Sequence, residues 1–310
     1  MPRALSLIIP TLLALSVMAI SPGGGGGGGA AHAAETVTPT SPVPPKTVTP
    51  TPPKAPLQAL RFRITGCLSH GNSAYLRGPG RRREVAIGFD DGPWTDTPAF
   101  LSMLERSHVK ATFFMIGRQV TWSYSSMLKR ELRDGDVLGD HTWSHPDLTR
   151  SGQVRGQLTS TMSAIRRISG YTPCVFRPPY GAYSSSVVAT ARSLGLATVI
   201  WNVDPTDWAT PGTGAIQSRV LAQVRPGSII LSHDGGGPRG QTLAAYPGII
   251  HTLHARGYRI VTIPELLGFK PVYTQCKGAA CGGLGLPRSA LPKNAIVIHP
   301  RQPKAHRASL

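Results

Sequence analysis

The stretch Val85-Ala86-Ile87-Gly88-Phe89-Asp90-Asp91-Gly92-Pro93 decides the fold. It opens as an apolar, β-prone run and ends in two aspartates, a residue that strands disfavour, so it marks where a buried strand opens onto a surface loop. Adjacent carboxylates resist sharing one low-dielectric site unless a cation or a proton separates their roles. One of the two is therefore expected to meet a metal and the other to move protons.

Outward from this strand, short β-rich runs alternate with stretches of helical period. Strands are predicted over residues 85–89, 111–115, 137–140, 174–177, 197–203, 228–232 and 258–262. Helices are predicted over 97–106, 119–133, 152–169, 185–194, 213–223 and 243–256, with Pro247 shortening or kinking the start of the last. Such alternation predicts one α/β catalytic domain of about seven parallel strands with crossover helices, closed or nearly closed into a barrel.

The unusual polar residues follow the predicted strand ends. Asp90 and Asp91 follow the first, His141 and His145 the third, Arg177 to Gly181 the fourth, Asp204 to Trp208 the fifth and His233 the sixth. In a parallel barrel that end is the face where loops converge on an active site. Each cluster also has a plainer reading. His141 and His145 alone equally suit two surface histidines; in a helical turn their rings would share a face, and with Asp91 they supply two nitrogens and one oxygen, a set suited to zinc or another first-row divalent ion. The cysteines form no CxxC pair that would compete for that metal. Arg177, in RPPYG, belongs either to a rigid turn or to a charge-assisted bond that orients an acid, with a loop amide aimed at developing negative charge. His233, in LSHDGGG, is a loop histidine or a proton donor beside Asp207. Trp208 and Leu231 fit a core or the wall of a small acyl pocket.

Outside this domain, Arg3, the apolar stretch 4–20 and the small residues 30–34 predict a signal peptide or N-terminal anchor over residues 1–34. Residues 35–56 are a Thr/Pro-rich linker, 57–277 the catalytic domain and 278–310 a basic tail expected to be disordered. The protein is thus expected outside the cell, secreted or tethered to wall or membrane. An exported chain with four cysteines is expected to form disulfides; Cys276 and Cys281 can close a small loop, leaving Cys67 for Cys174. The formal charge is +18, and no acid follows Glu265, so the tail suits anionic wall polymers or lipid headgroups. No nucleic-acid module accompanies the charge and no protein partner is evident.

GFDDGP, HTWSHPDL, FRPPYG, DPTDW and LSH resemble, in order, the motifs of the polysaccharide deacetylases, carbohydrate esterase family four, over residues 85–262. That resemblance implies a distorted (β/α) barrel in which Asp90 is the base, Asp91, His141 and His145 hold one divalent metal, zinc or a relative such as cobalt, and Arg177 positions Asp90. It further implies that the Tyr180 amide serves the oxyanion, Asp207 tunes His233 as the acid, and Trp208 with Leu231 lines the acetate pocket. Gly88 stands where the family often has Thr, a change expected only to loosen local packing. The implied substrate is an N-acetylated glycan: peptidoglycan N-acetylglucosamine first, then chitin or its oligomers, then acetylated xylan. A wall-binding protein with a lapsed site is the alternative from another class; it would lack a ligand or the base, and none is missing here.

Overall fold

The computed structural model describes residues 60–281, 283 and 285–299. The predicted signal or anchor segment and the linker lie outside the described residues. After a first strand β1 (Arg61–Leu68), strand and helix alternate as the sequence predicts: β2 (Glu84–Gly92), α1 (Thr97–Arg106), β3 (Thr112–Met115), α2 (Ser125–Asp134), β4 (Val137–Asp140) and α3 (Val154–Ser169). There follow β5 (Val175–Phe176), α4 (Ser185–Ser193), β6 (Ala197–Thr198), α5 (Thr213–Gln223), β7 (Ile229–His233), α6 (Gly240–Ala255), β8 (Arg259–Val261) and α7 (Ile263–Leu266). The chain then forms β9 (Lys270–Cys276), β10 (Leu286–Pro287) and β11 (Ile296–Ile298).

The main sheet has seven strands in the order β6-β5-β4-β3-β2-β7, with β8 on β2, and every pairing is parallel. It curls because the predicted strand 197–203 is not one strand. Only Ala197–Thr198 pairs with β5; the chain then crosses to the opposite edge, where Val203 bridges Ile230 in parallel. The sheet therefore becomes a distorted, nearly closed barrel with all strand C-termini at one pole.

Three local expectations change. The predicted helix 119–133 begins at Ser125, because Gln119 sends its amide to the Asp91 carbonyl (2.7 Å) and the chain takes short 3-10 turns instead. The last large helix runs unbroken through Pro247, since Tyr246, Ile249, Ile250 and Leu253 are buried and clamp it to the core. The basic tail is ordered further than predicted: Ile296–Ile298 pairs in parallel with β9, and Leu286–Pro287 with β1. Three consecutive β-branched residues favour that pairing, a signal outweighed in the sequence by the surrounding charge.

β10-β1-β9-β11 form a second sheet that the sequence pattern did not announce. Both expected disulfides form: Cys67–Cys174 ties β1 to the approach to β5, and Cys276–Cys281 closes the loop after β9. Among the described residues no helix is long and apolar enough to cross a membrane.

Phe89 sits at the centre of the core, fully buried, with Phe100, Phe113 and Tyr246 at ring separations of 5.1, 5.4 and 5.0 Å. Its removal leaves a cavity that a sheet paired on both sides cannot collapse into. Phe89→Ala is expected to destabilise the fold by about 3–5 kcal/mol, measured by denaturant unfolding.

Candidate active site

A bulge resolves how two adjacent aspartates serve one site. In regular pleat Asp90 and Asp91 would point to opposite faces. Here the β2/β3 register slips between Asp90 and Gly92, and Asp91 takes φ 71°, so both carboxylates reach the same mouth. Register brings the rest. Asp90 pairs with His233 across β2/β7, Met115 with Asp140 across β3/β4, and Asp140 with Phe176 across β4/β5. His141 and Arg177 thus each emerge one residue past the same row.

Asp91 Oδ1 lies 3.5 Å from His141 Nε2 and 3.4 Å from His145 Nε2. The histidines do not lie on a helix as their spacing suggested. They are brought together by a loop with Thr142 at φ 66° and His145 at φ 63°, pinned by Thr142 N donating to Asp140 Oδ1 and His145 N donating to Thr142 Oγ1. His141 Nδ1 meets the Arg177 carbonyl at 2.7 Å, and because a carbonyl only accepts, Nδ1 carries the proton. Burial lowers the His141 pKa to about 3, so the ring is neutral and Nε2 presents a lone pair. Asp91 Oδ1 is buried without a hydrogen-bond partner. An orphaned carboxylate oxygen facing unprotonated nitrogen is poor company unless a cation joins them, and the trio fits a divalent metal.

Asp90 is almost fully buried, and Arg177 donates Nη1 to its Oδ1 at 2.8 Å. Burial raises the Asp90 pKa, opposed by the Arg177 and His233 charges; the net shift is upward. The Arg177 guanidinium is itself buried, 4.3 Å from the Phe114 ring centre and 5.7 Å from that of Trp201. Gly88 is part of this arrangement, contrary to the expectation of a packing change alone. A Cβ there would meet both guanidinium nitrogens at 2.6 Å, so Gly88 vacates the space Arg177 occupies.

Across the mouth, His233 Nδ1 and Asp207 Oδ1 are 2.8 Å apart, and Asp207 Oδ2 accepts from His233 N and Thr242 Oγ1. Burial lowers the His233 pKa, but the hydrogen bond and charge of Asp207 outweigh it, and the net shift is upward from 6.5. Between the two sides is a cavity of about 440 Å³ lined by Asp90, Asp91, His141, His145, His233, Tyr180, Leu231 and Trp208. Tyr180 sits at φ 61° and its hydroxyl is 3.2 Å from His145 Nδ1. Leu231 is a buried wall and Trp208 an exposed rim.

Trp201 and Asp204 also line the cavity and were not singled out as site residues. Trp201 was concealed inside a predicted strand, whereas Asp204, at the start of DPTDW, was visible beside a strand end. Arg239 was missed too. It donates to the carbonyls of Gly235 and Gly236 and reaches that of Trp208, bracing the loop after His233. No spacing rule links it to the site, because its partners are backbone atoms.

Fold and site together define a hydrolase-type barrel in which a three-residue group that could hold a metal is flanked by an Asp/Arg pair and a His/Asp pair. The sequence matches the polysaccharide deacetylase family over residues 77–199. A peptidoglycan-N-acetylglucosamine deacetylase of Listeria monocytogenes is 39% identical over 191 residues, 61% of this chain and 40% of that one, so the chain aligns with less than half of that relative's length. A chitooligosaccharide deacetylase of Bradyrhizobium is 39% identical over 199 residues, 59% of this chain and 90% of the relative. Among solved structures, the Bc1960 peptidoglycan N-acetylglucosamine deacetylase superposes with a TM-score of 0.61 at 35% identity, covering 63% of this chain and 92% of that one. The chain belongs to the polysaccharide deacetylase family.

Two outcomes test this geometry. Arg177→Lys is expected to weaken the charge-assisted hydrogen bond to Asp90 and lower turnover about tenfold, with circular dichroism unchanged. By NMR, His233 should titrate above 6.5 and fall in Asp207→Asn. Because the folded pKa is the higher one, this pair's stabilisation is complete below the unfolded value and is lost as pH rises through the folded one.

Proposed function

We propose that this protein is a metal-dependent deacetylase that removes N-acetyl groups from N-acetylglucosamine residues of an extracellular glycan, peptidoglycan foremost. The observation that carries the reading is the opposed pair of devices around one cavity: Asp90 held by Arg177 on one side, His233 held by Asp207 on the other, with the Asp91, His141, His145 group between them. Zinc is the metal the two nitrogens and one oxygen suit best, and when bound it would supply Lewis acidity to a water and to the acetamide oxygen.

Arg177 occupies Asp90 Oδ1, which leaves Oδ2 to take a proton from the attacking water. Burial raises the Asp90 pKa and makes it a better base than a solvated carboxylate. The hydroxide adds to the acetamide carbonyl, and the Tyr180 backbone amide receives the developing oxyanion. Asp207 engages His233 Nδ1, so the opposite ring nitrogen delivers its proton to the departing amine. The C–N bond breaks, giving acetate and a glucosamine residue. Leu231 and Trp208 bound the space for the acetyl methyl.

Peptidoglycan is favoured over chitin by the predicted export signal, the linker and the strong positive charge, which would hold a secreted or tethered enzyme among anionic wall polymers. Chitin oligomers are the second reading, supported by the similarity to the Bradyrhizobium enzyme over most of that enzyme's length. Acetate release from peptidoglycan, chitin oligomers and acetylated xylan tests the assignment: peptidoglycan should be the best substrate, and xylan alone releasing acetate would overturn it. Asp90→Asn and His233→Ala should each lower acetate release by about a hundredfold or more at unchanged metal content. Asp91→Ala should lose the bound metal by mass spectrometry as well as activity, and chelation of the unsubstituted protein should reproduce that loss reversibly.

A further inference from the structure

We infer that the pole of the barrel opposite the catalytic cavity is a docking surface for a linear, phosphate-bearing polyanion. A second cavity in that pole would take one unit of the chain. This rests on the reading above of an enzyme that works among wall polymers, and it names a partner for a surface that the reaction does not use.

At the strand-start pole cations outnumber acids, although Glu84, Glu105, Asp134, Asp136 and Glu265 lie there too. Asp90, Asp91 and Asp140 lie at the C-terminal ends of β2 and β4, Asp234 follows β7, and Asp204 and Asp207 follow Val203, which bridges β7. At the other pole, the exposed run Arg81, Arg82 and Arg83 precedes β2, and exposed Lys110 precedes β3. Exposed Arg225 precedes β7, and Arg259 opens β8. Arg106, Arg133 and Arg192 end α1, α2 and α4 at the same pole. Those helix-terminal cations have a local explanation, since each offsets a helix dipole by about 0.3–1 kcal/mol. Arg82 and Arg259 are met by Glu84 and Glu265, whereas Arg81, Arg83, Lys110 and Arg225 terminate no helix and have no acid partner among the described residues.

A cavity of about 630 Å³ opens within this basic pole, between the small sheet and the strand starts, and Arg82, Lys110, Arg133 and Arg259 stand in its wall. Three of these are ion-paired: Arg82 and Arg259 with Glu84 at 3.4 and 2.6 Å, Arg259 also with Glu265 at 2.8 Å, and Arg133 with Asp134 at 3.2 Å. Among the described residues Lys110 in the wall, and Arg81, Arg83 and Arg225 outside it, have no acid partner and are the charges left to meet an anion. The floor includes Tyr171 and Tyr273, both buried, with the Tyr171 hydroxyl on Cys67 Sγ at 3.4 Å. The volume is that of a small-molecule site. A flexible phosphodiester chain can insert one unit there and lie along the arginines outside. A bilayer is too flat to enter it and a duplex too wide, and the buried tyrosines offer no faces for stacking bases. The two cavities lie at opposite poles, so a polymer held at this one leaves the catalytic cavity to the glycan.

The test is binding of the full chain to poly(glycerol phosphate) by calorimetry over a range of salt concentrations, beside phosphatidylglycerol vesicles and duplex DNA. The triple variant Arg81→Gln, Lys110→Gln, Arg225→Gln should raise the polymer Kd at least about tenfold and flatten its salt dependence. Its acetate release from soluble chitin oligomers should be unchanged. Lys110→Gln alone, with thermal unfolding as a check on folding, should raise Kd by about threefold. Asp90→Asn should keep polymer affinity while losing acetate release, which separates failure of this proposal from failure of the catalytic reading. Unchanged affinity in the triple variant would overturn the proposal. So would loss of binding in Arg301→Gln, Lys304→Gln, Arg307→Gln instead, or tighter binding to vesicles or duplex at equal charge concentration.

Discussion

The site depends on one buried guanidinium. Arg177 has no exposed surface, and an unpaired charge at such a place costs several kcal/mol. Its charge is met by Asp90, its ring-like plane is covered by Phe114 and Trp201, and its volume is made available by the missing side chain of Gly88. The same residue's carbonyl fixes the His141 tautomer. One residue therefore orients the carboxylate that moves protons and prepares a nitrogen that can hold the metal. Removing its side chain would strand Asp90 in low dielectric, while the backbone carbonyl that holds the His141 ring would remain.

A second constraint is direction. Parallel pairing with right-handed crossovers sends every strand end to one pole, so residues far apart in sequence converge without any of them contacting the others along the chain. Asp90 and His233, on neighbouring strands, face each other by register. The same rule gathers strand starts at the opposite pole, where cations outnumber acids.

Much of this was legible before folding. The alternation of β-rich and helical segments predicted the barrel, because period-2 and period-3.6 patterns are local and survive without tertiary help. The position of Asp90, Asp91, His141, His145, Arg177, Asp207 and His233 after strand ends placed them on one face. Where reading failed, distant contacts were the cause. Gly88 looked inert because its partner lies on β5's far end, and Pro247 looked disruptive because burial of its helix was not visible. The small sheet escaped because β1 and β9 are separated by the whole barrel and pair antiparallel across it.

The sequence by itself determined which chemical groups are present, their order and the end of the barrel they occupy, since these follow from residue type and local periodicity. Only the tertiary structure decided how two adjacent aspartates divide their work. That division comes from a bulge whose φ 71° at Asp91 is held by Gln119 on the Asp91 carbonyl. It also comes from the close approach of Gly236, where a Cβ would lie 2.5 Å from the Asp91 carboxylate. Those are contacts between segments remote in the chain, and no local rule encodes them.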